Sequence, residues 1–328
     1  MTTSKSAIRS TRSTIIRIAV VFAIIAVYFF GLSIPLLGPD EPRYAQVARE
    51  MFERGDWITP TLGGFHWFEK PALLYWLQIV SYNFFGVSEL SARLGPTLFG
   101  LGTVASLWIL GRSAAKDRTT GGDTDFANWL GLVAATSLGL IVFARGASFD
   151  IILTFPMTAA MVSFFIFDQR SHNEDRRSPY VPLALFYFFV GVALLAKGLV
   201  GAVFPFAIIA FYYLLSRRLP GKVFLISLLW GGLITLAVSA TWYLPVYQRN
   251  GWEFIDEFFI QHHFQRYTSN KYLHPQPFYF FFWVLPLMTL PWLPFFFAGV
   301  WRAAKLIFRP RVSTPPLLHS PTPLLLYS

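Results

Sequence analysis

Three kinds of ionisable side chain stand at positions where chemistry is possible. Carboxylates occur at Asp40, Glu41, Glu69 and Asp150; cations at Arg43, Lys70, Lys197 and Arg266; imidazoles at His262, His263 and His274. A carboxylate can take up or hold a proton, Arg and Lys can hold an anion, and Glu with His can ligate a divalent metal. Each also has a plainer reading. Asp40-Glu41 can simply cap a helix, worth about 0.3–1 kcal/mol at its positive end. Lys and Arg near a membrane can snorkel to lipid headgroups. Asp150 can pair structurally with Arg145 or Arg43, and His262 and His274 can be ordinary loop residues.

The elements that must position these groups are membrane helices. Of 328 residues, 55% are hydrophobic, 18% aromatic and only 13% charged, and the mean hydropathy is +0.50. Soluble domains carry about 25% charged residues, so a water-soluble globule, a disordered chain and a coiled coil are all excluded. The absence of cysteine excludes a disulfide framework, a thiol nucleophile and cysteine-ligated metal. About 20 apolar residues cross the hydrocarbon core. On that criterion eight spans are expected, near 16–37, 90–111, 127–144, 150–167, 180–196, 199–215, 223–244 and 278–301. The first is retained as an anchor, because its apolar run outlasts that of a cleaved signal peptide. The expected fold is an all-α polytopic membrane protein with about eight transmembrane helices and interfacial helices on its outer face.

Orientation follows from the basic residues. With the N-terminus in the cytoplasm, 17 of the 27 Lys and Arg fall on that side, while 11 of the 17 acidic residues fall on the other. The net charge of +10 is therefore read as a topological bias rather than as a nucleic-acid surface. Both termini are expected inside, with the long segments 38–89 and 245–277 outside. In that frame Asp40, Glu69-Lys70, Asp150, Lys197 and the 262–266 cluster come from five chain segments to one depth on one face. Charges near hydrocarbon are costly and tend to mark function, and snorkelling does not account for Asp40, Asp150 and Glu69.

Within the first outer segment, Tyr44, Val47, Ala48, Met51 and Phe52 make one apolar stripe at helical spacing. Arg43, Gln46, Arg49, Glu50, Glu53 and Arg54 lie opposite, and Gly55 closes the helix. A surface helix is expected there, followed by a second from Pro71 to about Phe85. Residues 1–311 read as one transmembrane domain. Residues 312–328, VSTPPLLHSPTPLLLYS, are too proline-rich for a helix and read as a disordered or aberrant tail.

The stretch DEPRYAQVAREMFERGDWITPTLGGFHWFEKP resembles the lipid-linked-sugar glycosyltransferases of family 39, which include aminoarabinose transferases and protein mannosyltransferases. Its Asp-Glu-x-Arg-Tyr opening, its GDW turn and its Phe-Glu-Lys-Pro carry the likeness. Arg93 in the S-A-R-L segment, Arg145 and Asp150 in ARGASFD, Lys197-Gly198, HHFQRYTSNKYLHPQPFYFF and LPW at 290–292 follow in order, so the resemblance spans about residues 15 to 305. Two features depart from the family. Its members commonly continue into further spans and a soluble outer domain, so this chain resembles a C-terminally short member, and the usual Thr-Lys-Gly-Pro is Ala196-Lys197-Gly198-Leu199 here.

The resemblance implies a C-type glycosyltransferase fold and transfer of a sugar from a polyprenyl-phosphate donor, with inversion, on the outer face of the bacterial cytoplasmic (inner) membrane. The acceptor would be a lipid, a polysaccharide or a protein. Such chemistry needs a base for the acceptor's proton and cations for the departing phosphate. The family's pattern makes Asp40 the base and Asp150 a second acid/base or an acceptor-orienting group. Arg43, Lys70 and Arg266, with Lys197 as an addition, would hold the donor phosphate. Likeness to members with a divalent ion makes Glu69 and His263 a candidate pair for zinc, magnesium or manganese. No Gly-rich nucleotide loop occurs and no nucleotide cofactor is expected; membrane lipids, not nucleic acid, are the other expected partners. A transporter or flippase of lipid-linked sugar, and an inactive lipid-binding homologue, are the alternatives. Transport would favour midplane charges and paired broken spans, whereas these charges gather at one surface.

Reporter fusions test the topology. Gly55 and His262 are expected outside and Arg118 and Asp175 inside; a cytoplasmic signal at Gly55 would overturn the orientation.

Overall fold

The computed structural model describes residues 2–115, 123–172, 178–265, 277 and 279–308. The tail expected at 312–328, Arg266 and His274 lie outside the described residues, as do the side chains of His262 and His263.

Among the described residues the chain is almost wholly helical. The order is α1 (Thr2–Phe29), α2 (Asp40–Arg54), the two-residue strands β1 (Thr61–Leu62) and β2 (Phe65–His66), α3 (Leu73–Phe85), α4 (Glu89–Ala115), α5 (Asp123–Thr136) and α6 (Leu138–Ala144). Then come α7 (Phe149–His172), α8 (Tyr180–Lys197), α9 (Val200–Ser216), α10 (Lys222–Phe254), a π-helical stretch (Ile255–Gln265), α11 (Phe280–Met288) and α12 (Leu293–Phe308).

Each of the eight expected spans falls largely on helix, although the first, 16–37, is helical only as far as Phe29. α4, α7, α8 and α10 are long and apolar enough to cross a membrane alone, while α1 from Thr14 and α9 are shorter apolar helices. Two expected spans are not single rods. Segment 127–144 is the pair α5–α6, bent by 60°, and 278–301 is the pair α11–α12, bent by 119°. The first breaks at Ser137, whose backbone is extended. The second breaks around Pro291, which has no N–H to continue a helix. Backbone freed at such breaks needs partners away from water, and here the two breaks supply each other. The Leu138 amide donates to the Leu290 carbonyl at 2.8 Å, and Trp292 Nε1 donates to Thr136 Oγ1 at 2.8 Å. α10 also runs past the expected boundary at 244 as far as Phe254, with a non-helical kink at Gly251 (φ 56°).

The span pairs pack closely where small residues permit it, as expected for helices without a hydrophobic drive between them. A Cβ at Gly231 would collide with the Tyr187 ring, joining α10 to α8, and one at Gly100 would collide with Ala144, joining α4 to α6.

α2 forms as its stripe requires. Tyr44, Ala45, Val47, Ala48 and Met51 are buried, and Gly55 ends the helix in the left-handed region at φ 64°. The β1–β2 hairpin turns through Gly63 and Gly64, both at positive φ. Glu50 of α2 holds that turn by accepting hydrogen bonds from Thr61 Oγ1 and the amides of Gly63 and Gly64. α2, α3 and the start of α7 share one core with the end of α1 and with Ala193 and Ala196 of α8. The segment 38–89 is thereby seated on one end of the helix bundle.

Candidate active site

Consecutive residues at the start of α2 differ sharply in burial. The Asp40 side chain is 64% exposed, whereas that of Glu41 is 12% exposed and lies against Arg93, itself 2% exposed. The Glu41 carboxylate accepts four hydrogen bonds. They come from Arg93 Nη2 at 2.6 Å and Nε at 3.2 Å, from the Leu37 amide at 2.6 Å and from the Ala147 amide at 2.6 Å. Arg93 spends its remaining donors on the carbonyls of Leu32 (2.9 Å), Ile34 (2.5 Å) and Pro35 (3.1 Å). All five N–H groups of the guanidinium are thus used. Burial pushes the Glu41 carboxyl up, but the bonds from Arg93, Leu37 and Ala147 and the guanidinium charge outweigh it and leave it below the ordinary carboxylate range.

This pair brings the 145–150 segment to the first turn of α2. Gly146 fits beside Glu41, where a Cβ would come within 3.2 Å of Oε1. Arg145 donates to the Phe30 carbonyl at 2.5 Å. It is not the partner of Asp150, and neither is Arg43; the partner is Lys197, whose Nζ lies 2.5 Å from Asp150 Oδ1. Arg43 instead pairs with Asp40 at 3.3 Å and sets its guanidinium 5.7 Å from the Trp67 ring centroid. Lys70 pairs with Glu69 at 2.7 Å, both largely buried.

Tyr44 marks the centre of the cluster. Burial, then the carboxylates of Glu69, Asp40 and Asp150, raise its phenol above the usual range, opposed by Arg43. Four of the expected site residues therefore lie within electrostatic reach of one phenol, and Lys70 and Lys197 join through Glu69 and Asp150. Of the residues assigned to this chemistry, only Arg266 and the His263 side chain lie outside the described part. Among the described residues no group of three His, Cys, Asp or Glu could hold a metal ion, and the Glu69 carboxylate is engaged by Lys70.

Sequence reasoning missed Glu41, taken there with Asp40 as part of a cap, and treated Tyr44 only as part of the apolar stripe. The signal was present. Glu41, Tyr44 and Ala48 lie at i, i+3 and i+7, so a carboxylate occupies the buried face of α2 and calls for a buried cation.

The family pattern described as dolichyl-phosphate-mannose-protein mannosyltransferase matches residues 14–255. The chain belongs to that family. Among its relatives in the mannosyltransferase family is the undecaprenyl phosphate-alpha-4-amino-4-deoxy-L-arabinose arabinosyl transferase of Aeromonas salmonicida. It is 30% identical over 265 residues, covering 79% of this chain and 45% of the relative. The enzyme of that name from Yersinia enterocolitica is 29% identical over 304 residues, covering 92% and 51%. The crystal structure of ArnT from Cupriavidus metallidurans bound to undecaprenyl phosphate superposes with a TM-score of 0.77 at 30% identity, covering 88% of this chain and 51% of that one. The chain thus spans about half the length of these relatives. Family membership accounts for the polytopic helical fold.

The Glu41–Arg93 pair makes stability depend on pH. A carboxyl held below its ordinary pKa contributes stability that is present above the unfolded value and is lost as pH falls through the lowered folded value. Replacing Glu41 by Gln leaves the buried guanidinium without a counter-charge and is expected to cost roughly 3–5 kcal/mol near neutral pH. Thermal unfolding in detergent should show the gap between wild type and E41Q narrowing below about pH 4; a gap independent of pH would contradict it.

Proposed function

We propose that this member of the mannosyltransferase family transfers a sugar from a polyprenyl-phosphate donor to an acceptor at the outer face of the bacterial cytoplasmic membrane. The ion pairs Asp40–Arg43, Glu69–Lys70 and Asp150–Lys197, with Asp40, Arg43, Glu69 and Asp150 all within electrostatic reach of Tyr44, carry the reading. The likeness to a structure bound to undecaprenyl phosphate supports the donor class.

Asp40 is the base. It is the carboxylate of the cluster most open to an incoming acceptor, and Arg43 lies 3.3 Å from it. The acceptor's nucleophilic atom attacks the anomeric carbon and gives its proton to Asp40. The bond from that carbon to the phosphate oxygen breaks, and its electron pair leaves with the polyprenyl phosphate. The reaction inverts the anomeric centre, with oxocarbenium character building on the sugar as the phosphate departs. Arg43 and Lys70 offset the charge gained by the departing phosphate, with Arg266 in the same role. Asp150, fixed by Lys197 at 2.5 Å and by Ser148 Oγ at 3.3 Å, orients the acceptor.

The assay uses membranes carrying the full chain and an undecaprenyl-phosphate sugar. Asp40→Asn keeps size and removes the base, so turnover should fall by a factor of about 10² to 10⁴. Arg43→Ala should mainly weaken binding of the lipid phosphate. Near-normal turnover by D40N would move the base to Asp150. Passage of donor across the bilayer without release of sugar from its carrier would replace transfer by transport.

A further inference from the structure

A groove of about 560 Å³ opens between α1, α4 and α5. Its walls are α1 from Ile16 to Ile25, α4 from Leu101 to Trp108 and α5 from Asp125 to Leu132. It exists because α4 and α5 pack tightly while α1 stands off from them. A Cβ at Gly111 of α4 would come within 2.7 Å of the Ala127 Cα of α5, and Ala127 is fully buried. Val20, Val21 and Ile25 of α1 line the groove yet remain exposed. A volume of this size suits one bound molecule. Inside a bilayer such an apolar space takes up hydrocarbon, and the groups at its mouth decide which lipid resides there.

The mouth lies far from the carboxylate cluster. From Arg93, which holds the first turn of α2, α4 rises about 22 Å to Trp108 and about 28 Å to Arg112, close to the hydrocarbon thickness of about 30 Å. The polar end of the groove therefore belongs to the leaflet opposite Asp40 and Lys70, which is the cytoplasmic one if the basic residues set the topology. Arg17 and Asp125 both line this end, and neither forms an ion pair or hydrogen bond with a described residue. Between them the lining is fixed: Trp108 Nε1 donates to Asn128 Oδ1 at 3.1 Å, and Arg112 is taken up by the Trp108 ring, 5.0 Å from its centroid. Trp108 and Trp129 are the amphipathic rings expected at headgroup depth.

The charges select the headgroup. Asp125 suits the positive end of α5, but that does not account for an unpaired cation on the neighbouring wall. One cation and one carboxylate left unpaired at an apolar mouth match a zwitterion, with its phosphate at the guanidinium and its ammonium at the carboxylate. A phospholipid without an amine offers nothing to Asp125, and a trimethylated amine has no N–H to donate to it. We infer that the groove holds one phosphatidylethanolamine molecule, with an acyl chain between α1 and α4, its phosphate at Arg17 and its ammonium at Asp125. The lipid fills the gap beside α1 and fastens that helix to the bundle. This site is separate from the one assigned to sugar transfer and does not rest on that reading.

Three lipids with the same acyl chains test it: phosphatidylethanolamine, phosphatidylcholine and phosphatidylglycerol, added to the full chain in detergent and followed by native mass spectrometry and thermal unfolding. Wild type should bind phosphatidylethanolamine about two- to fivefold more tightly than the other two, and that lipid should raise Tm most. Asp125→Asn keeps the size of the side chain and should bring phosphatidylethanolamine down to the level of phosphatidylcholine. Arg17→Gln should weaken all three lipids together. A lipid-free Tm equal to that of wild type shows that each variant is folded. Equal binding of the three lipids by wild type would mean ordinary boundary lipid and overturn the site, as would a preference for phosphatidylglycerol or an ethanolamine preference that survives Asp125→Asn. Displacement of phosphatidylethanolamine by undecaprenyl phosphate would also overturn it, making the groove a path for the donor's chain.

Discussion

The ion pair between Glu41 and Arg93 is the constraint on which the site depends. Removing two charges from water is expensive, and such a pair is tolerable only when geometry and further hydrogen bonds compensate. Here the guanidinium uses all five donors and the carboxylate accepts four bonds. The partners come from α4, from the chain after α1, from the first turn of α2 and from the turn before α7. Neither charge can move without stranding the other, so these four segments are fixed in mutual register. Residues 40 and 41 are separated by about 100° around the helix. Burying Glu41 therefore turns Asp40 outward, and the bond to Ala147 sets Asp150 close by.

A second division of labour follows. The charges that hold the structure are buried and saturated, while the two carboxylates assigned to chemistry are more than half exposed and each pairs with one cation: Asp40 with Arg43, Asp150 with Lys197. An exposed pair is weak, which suits groups that must exchange a protein partner for a ligand. Asp56 with Arg249 and His66 with Glu253 tie the segment after α2 to the end of α10. The π-helical stretch that leads toward Arg266 is thus referenced to the same platform.

Much of this was legible in the sequence, and the exceptions have physical causes. Apolar length located all eight helical segments, because burial in hydrocarbon leaves little choice of composition. The stripe from Tyr44 to Phe52 and the stop at Gly55 fixed α2. Length alone could not show that 127–144 and 278–301 are broken, since their breaks are satisfied by each other through Leu138 and Leu290, far apart in sequence. Asp40, Arg43, Glu69, Lys70, Asp150 and Lys197 were nameable because carboxylates at a membrane boundary are conspicuous. Glu41 and Tyr44 were not, because a buried partner 52 residues away and a phenol buried against Phe149 of α7 are properties of the tertiary fold.

The direct test of this account is amide hydrogen exchange on the wild-type chain and on Arg93→Met, both in the same nanodiscs. If the pair is the common tether, the variant loses protection together at residues 32–37, at the first turn of α2 and at 144–150, with α8 and α10 unchanged. Loss confined to the neighbourhood of residue 93, or protection retained at Leu37 and Ala147, would contradict it.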